Sequence, residues 1–170
     1  MTHSAIDRPD GYAPAVGALV AMMEDCRDRT LRLVAELDAG MVDAPTPWHG
    51  NTAGSLLYHV AAIELDWLYS EIMAKDFPEE AWEWFPHDVR EEGGRLTPVL
   101  GEPLDRHLDR LAWVRDRLRD EVRSLGDDDL HAIRETGGGR TVTPEWVFHH
   151  LLQHEAEHRG QLGEIMASRS

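Results

Sequence analysis

TPEWVFHHLLQHEAEHRGQLGEIMA, residues 143–167, reads as one long amphipathic helix. Thr143 offers an N-cap hydroxyl, Pro144 fills the first helical position and Glu145 places an acid in the first turn, the usual way a helix start satisfies its free N–H groups and its dipole. Val147, Leu151, His154, His158, Leu162 and Ile165 then recur at steps of three and four, so they share one face. Two of these inward positions are histidines four residues apart. Their imidazoles leave the helix on the same side and can grip one metal ion, which makes the rest of the chain a search for a third ligand.

Working back, Leu104, Leu108, Leu111, Val114, Leu118, Val122 and Leu125 mark a third helix over about 104–125, with alternating Arg and Asp read as a solvated outer face. Before it, 74–103 is broken by five glycines and prolines among Pro78, Pro86, Gly93, Gly94 and Pro98, and by Gly101 and Pro103, around an aromatic group of Phe77, Trp82, Trp84 and Phe85. A connection of that length is usually functional; it is expected to cover one end of a pocket or simply to cap the bundle. A second helix is expected from Thr52 to Met73, with Leu56, His59, Val60, Ile63 and Trp67 inward, and a first from Ala15 to Leu37. Cys26 lies on the apolar stripe of that first helix and reads as a small buried hydrophobe. Loops are marked by Gly40, Pro45, Pro47 and Gly50, and by Gly137, Gly138 and Gly139. No segment alternates with period two, so the expected fold is all-α: a single domain over 1–170, an up-down-up-down four-helix bundle with a long connection between helices two and three.

The net charge of -15 disfavours nucleic acid and anionic membranes as partners, which leaves a small molecule. One cysteine allows no internal disulfide, and neither a signal-like N-terminus nor a membrane span is legible, so a reducing cytoplasm is expected.

Ten histidines compete for the third position. With the second and fourth helices running parallel, His59 lies roughly 10 Å from its helix start, and His154 and His158 roughly 16 and 22 Å from theirs. The set His59, His154 and His158 follows, with His149 or His150 as alternatives. His107 is expected toward the other end of the bundle. Glu155 points about a quarter turn from His154 and reads first as solvated surface, with ligand orientation or proton transfer as its functional readings. Arg159 could meet an anionic cosubstrate or form a surface ion pair, and Gly160 could allow close helix contact. Trp67 lines a pocket or packs.

HEAEH also satisfies the H-E-x-x-H zinc-protease pattern. The extended form requires Gly where Gln161 stands and His where Glu164 stands, which argues against a protease. LLYHVAAIELDWLY around His59 and HEAEHRGQL from His154 to Leu162 instead resemble the DinB-like or YfiT-like metalloenzyme superfamily of four-helix bundles. The resemblance implies three histidines, here His59, His154 and His158, on zinc, nickel or a similar divalent ion. It also implies thiol-dependent chemistry of the kind seen in mycothiol-dependent maleylpyruvate isomerase and bacillithiol transferases, and often a homodimer. The expected function is S-transfer or thiol-assisted isomerisation of a small electrophile; the alternatives are hydrolysis of a small ester, amide or lactone, or a non-catalytic metal or small-ligand binding bundle.

Overall fold

The computed structural model describes residues 5–46, 50–136 and 139–168. Four long helices carry the core: α1 (Pro14–Val34), α3 (Ala53–Trp67), α5 (Leu104–Glu121) and α6 (Pro144–Ala167), with single-turn helices α2 (Ala39–Val42) and α4 (Ala81–Trp84) in the connections. The chain is thus mostly helical, as expected. Among the described residues no helix is long and apolar enough to cross a membrane.

Local chemistry sets the boundaries. Thr143 Oγ1 accepts from the Trp146 N–H at 3.3 Å, the N-cap expected from sequence, and Thr52 Oγ1 caps α3 in the same way by accepting from the Ser55 N–H at 3.1 Å. α3 does not continue as regular helix to Met73. It widens into a π turn over Leu68–Ile72, a form that concentrates near functional sites. α5 likewise ends at Glu121 and tightens into a 3-10 turn, Val122–Ser124. A two-residue antiparallel hairpin, β1 (Arg134–Glu135) with β2 (Thr141–Val142), and an isolated antiparallel bridge between Arg90 and Leu96 depart from all-helical structure. The glycine run expected there as a turn lies partly outside the described residues, at Gly137 and Gly138, as does the loop proline Pro47.

The order of helix directions differs from the expected one. Along α3 and α5, Gly54 faces His107, Glu64 binds Arg115 and Tyr69 donates to Glu121: the numbers climb together, so these helices are parallel. Between α3 and α6, His59 meets His154 whereas Trp67 meets His150 and Trp146, so they are antiparallel. α1 and α5 are antiparallel too, since Arg115 donates to Met23 O and Arg27 to Leu111 O. The arrangement is therefore up-down-down-up rather than up-down-up-down. The physical reason is the long connection. α3 with its π turn spans about 30 Å at ~1.5 Å per residue, and a parallel neighbour can be reached only by a chain that travels that distance back.

Buried Val20, Met23, Leu56, Leu57, Leu111, Val114, Leu118, Val147, Phe148 and Leu162 belong to one apolar core shared by all four long helices. Within it lies an ionic lattice. Arg27 of α1, Glu64 of α3, Arg115 of α5 and Glu155 of α6 are each 2–4% exposed. Arg27 reaches Glu64 at 2.6 Å and Glu155 at 2.9 Å; Arg115 reaches Glu64 at 2.8 Å and Glu155 at 3.5 Å. The helix face of α5 read as solvated therefore holds a buried Arg115, and Arg110 is buried as well. Burial alone would raise the Glu64 carboxyl, but Arg115 and Arg27 more than reverse this and hold it below its ordinary value.

Candidate metal centre

α3 and α6 bring three imidazoles together. His154 Nε2 lies 3.0 Å from His59 Nε2 and 3.1 Å from His158 Nε2, and the three side chains form a group that could hold a metal ion. The predicted trio converges although the depth count assumed parallel helices. In an antiparallel pair the sum of facing residue numbers is constant, and His59 opposite His154 and His158 satisfies the same register as Trp67 opposite Trp146 and His150.

The donor set fits a divalent cation. Zinc bound to imidazole nitrogens at ~2.0–2.1 Å sets neighbouring nitrogens about 3.3 Å apart in a tetrahedron, close to the spacing here. His158 Nδ1 faces Gln161 Oε1 at 2.8 Å; the amide oxygen accepts, so Nδ1 carries the hydrogen and Nε2 presents its lone pair. Three Nε2 atoms at such distances cannot all be satisfied by one another's hydrogens, because His154 Nε2 can donate to one neighbour only. A cation satisfies all three at once. His59 Nδ1, on the far side of its ring, is buried without a hydrogen-bond partner among the described residues.

Burial, with neighbouring charge, favours the neutral form of His59 and His154, the form that ligates metal. Burial pulls His59 down to about 3, with the charges of His158 and Arg90 acting in the same direction. His154 falls to about 3 for the same leading reason, with His158, His59, His150 and Arg90 contributing. Arg90 belongs to the long connection between α3 and α5, the crossover, and its positive charge acts on both histidines.

The remaining candidates fall elsewhere. His150 stacks on Trp146, with ring centroids 5.1 Å apart, and meets the Trp67 ring at 5.0 Å; it flanks the trio without joining it. Trp67 thus packs against α6 beside the site. His149 is exposed. His107 is fully buried beside Gly54 and Arg110; it stands at the same end as the start of α3, not the opposite one, and is excluded because Gly54 and His59 leave that helix on different sides. Glu155 is not solvated surface but a member of the ionic lattice, one residue from His154. Arg159 donates to Cys26 O at 3.1 Å and to Sγ at 3.3 Å, and no Cβ contact would be made at Gly160, which faces open space. Cys26 is buried as expected, and burial raises its thiol. Gln161 was missed by sequence reasoning except as a mismatch to the protease pattern. Its spacing, three residues after His158 on a helix, was the available signal.

The profile of the DinB superfamily matches residues 12–162. This chain belongs to the DinB superfamily. Among solved structures, a conserved protein from Enterococcus faecalis is similar in fold, with a TM-score of 0.67 and 15% identity over 87% of this chain and 92% of that one. No curated protein matches the chain. The match takes in His59, His154 and His158 together, so this DinB-superfamily chain carries its candidate metal centre inside the family's own boundaries.

Proposed function

We propose that this DinB-superfamily protein is a divalent-metal-dependent enzyme that uses a low-molecular-weight thiol, such as mycothiol or bacillithiol, either to join the intact thiol through its sulfur to a small electrophile or to isomerise that electrophile by reversible addition. The observation that carries the reading is the convergence of three imidazole nitrogens from two helices. His59, His154 and His158 would hold the ion, zinc or nickel by donor type. A divalent ion bound there would lower the pKa of a thiol or water ligand, supplying a nucleophile at neutral pH. The chain's own contribution is positional. Gln161 fixes the His158 tautomer, Glu155 anchors the turn that bears His154, and burial keeps His59 and His154 unprotonated. The same reading carries a reducing cytoplasmic setting, a small-molecule partner and a homodimer.

The test is metal analysis of protein purified without an affinity tag, paired with turnover of small electrophiles with and without mycothiol or bacillithiol. His154→Ala is expected to lose metal and activity together. Retention of both in that variant overturns the site. Turnover independent of thiol would replace the reading by metal-assisted hydrolysis, and stoichiometric metal without turnover would replace it by a binding protein.

A further inference from the structure

The connection between α3 and α5 forms an open cavity of about 260 Å³ against α3, at the margin of the apolar core, where Leu65 and Ala81 belong to both. Its walls are aromatic and aliphatic: Phe77, Trp82 and Phe85 from the crossover oppose Ala62 of α3. Two carboxylates, Asp66 and Asp88, also line it, and no lysine or arginine does so among the described residues. Asp66 accepts a hydrogen bond from Ser70 Oγ at 3.2 Å, and neither carboxylate pairs with a cation among the described residues. This contrasts with the interior, where Glu64 and Glu155 are matched to arginines.

The wall is held in place. Tyr58 of α3 donates its hydroxyl to His87 O at 2.6 Å and accepts from His87 N–H at 3.0 Å, and the Tyr58 ring meets Phe85 edge-on at 5.6 Å. Yet Trp82 remains 68% exposed and Phe77 37% exposed, so two large rings at the mouth spend apolar surface on water. Aromatic faces attract cations, and carboxylates beside them add charge selection. An anionic ligand is repelled here, and a neutral one leaves both carboxylates without a counter-charge.

We propose that this cavity binds a small organic cation, an ammonium group attached to an aromatic or branched apolar body, with the apolar body against Phe77, Trp82 and Phe85 and the ammonium toward Asp66 and Asp88. The volume lies just below the range of drug-sized sites, which fits a ligand of that size. Ala62 and Asp66 follow His59 by three and seven residues, so the cavity runs along α3 from roughly 5 to 10 Å beyond the level of that imidazole. The site is defined by its own lining and does not depend on the metal reading.

The experiment is calorimetric titration of the full chain with benzyltrimethylammonium, with benzyl alcohol and benzoate as neutral and anionic comparators. Saturable one-to-one binding of the cation is expected, at least ten-fold tighter than benzyl alcohol, with no binding of benzoate. Asp66→Asn and Trp82→Ala, both at exposed positions, are each expected to weaken the cation at least five-fold, and circular dichroism checks that they fold. Equal affinity for benzyl alcohol overturns the charge recognition. Binding unchanged in both variants places the ammonium elsewhere on an acidic surface and overturns the site, and absence of saturable binding overturns the proposal outright. Loss of metal in His154→Ala would leave this binding intact, so the two readings fail separately.

Discussion

Arg27 Nε on α1 stands 2.9 Å from Glu155 Oε1 on α6, and Glu155 is the residue that follows His154. A contact between helices far apart in sequence therefore fixes the rotation of the turn that presents one of the three imidazoles. Because the other carboxylate of the lattice, Glu64, lies on the helix of His59, both ligand-bearing helices are tied to the same two arginines.

Glu155→Ala leaves Arg27 and Arg115 with one of their two buried carboxylates, Glu64, beside the half-buried Glu24 that pairs with Arg115. Removing one partner of a buried ion pair costs about 3–5 kcal/mol, so a large fall in the urea or thermal midpoint is expected, together with weaker metal binding. A loss below about 1 kcal/mol would show that the lattice does not restrain the helices.

Gln161→Leu removes the acceptor for His158 Nδ1. Partners of ligating histidines typically contribute 10–100-fold in metal affinity, and a decrease of that size is expected in competition titration with a chromogenic chelator, with little change in unfolding midpoint. Unaltered affinity would show that Gln161 has no part in setting the tautomer.

Metal-free protein is expected to lose stability as pH falls from 7 to 5. Burial, aided by the Arg110 charge, pulls His107 down to about 4, and burial takes His59 and His154 to about 3. Between the ordinary histidine value near 6.5 and those values, the unfolded chain binds protons that the folded chain refuses. Stability is therefore complete above that ordinary value and declines as pH drops toward the folded values, by up to about 1.4 kcal/mol per pH unit for fully buried His107. Urea midpoints at pH 7, 6 and 5 check this above the carboxylate range; a flat profile contradicts it.

Gly54→Ala would place a Cβ 2.8 Å from His107 Nε2. His107 is fully buried, so relief requires moving a packed ring. Overpacking of this kind costs about 1–3 kcal/mol, and a matching drop in denaturant midpoint is expected. His107→Ala in the same chain should recover part of it; no recovery would locate the strain elsewhere.

The helices, the Thr143 cap and the His154–His158 pair were legible because each depends on spacing within one segment; His59 lies on another helix and was reached by a depth count whose assumed helix directions do not hold. The ionic lattice was not legible. Arg115 follows the core residue Val114 and sits on a helix crowded with Arg and Asp, so nothing local distinguishes it from its solvated neighbours. Glu64 was the visible clue, a lone acid inside the apolar run from Leu56 to Leu65. The helix directions were also readable in principle. An antiparallel α3 and α5 would need only a short turn, and the long stretch from residue 73 to 103 between the π turn and α5 signalled a parallel pair.

That return path separates two duties along the chain. The imidazoles are carried by rods whose lattice leaves them little freedom, whereas the opposite wall of the adjacent cavity is drawn from a segment whose span is dictated by helix length but whose lettering is not. Substitutions at Phe77, Trp82 or Asp88 can reshape that wall without disturbing the three imidazoles, so one scaffold can vary its pocket by rewriting a single strap.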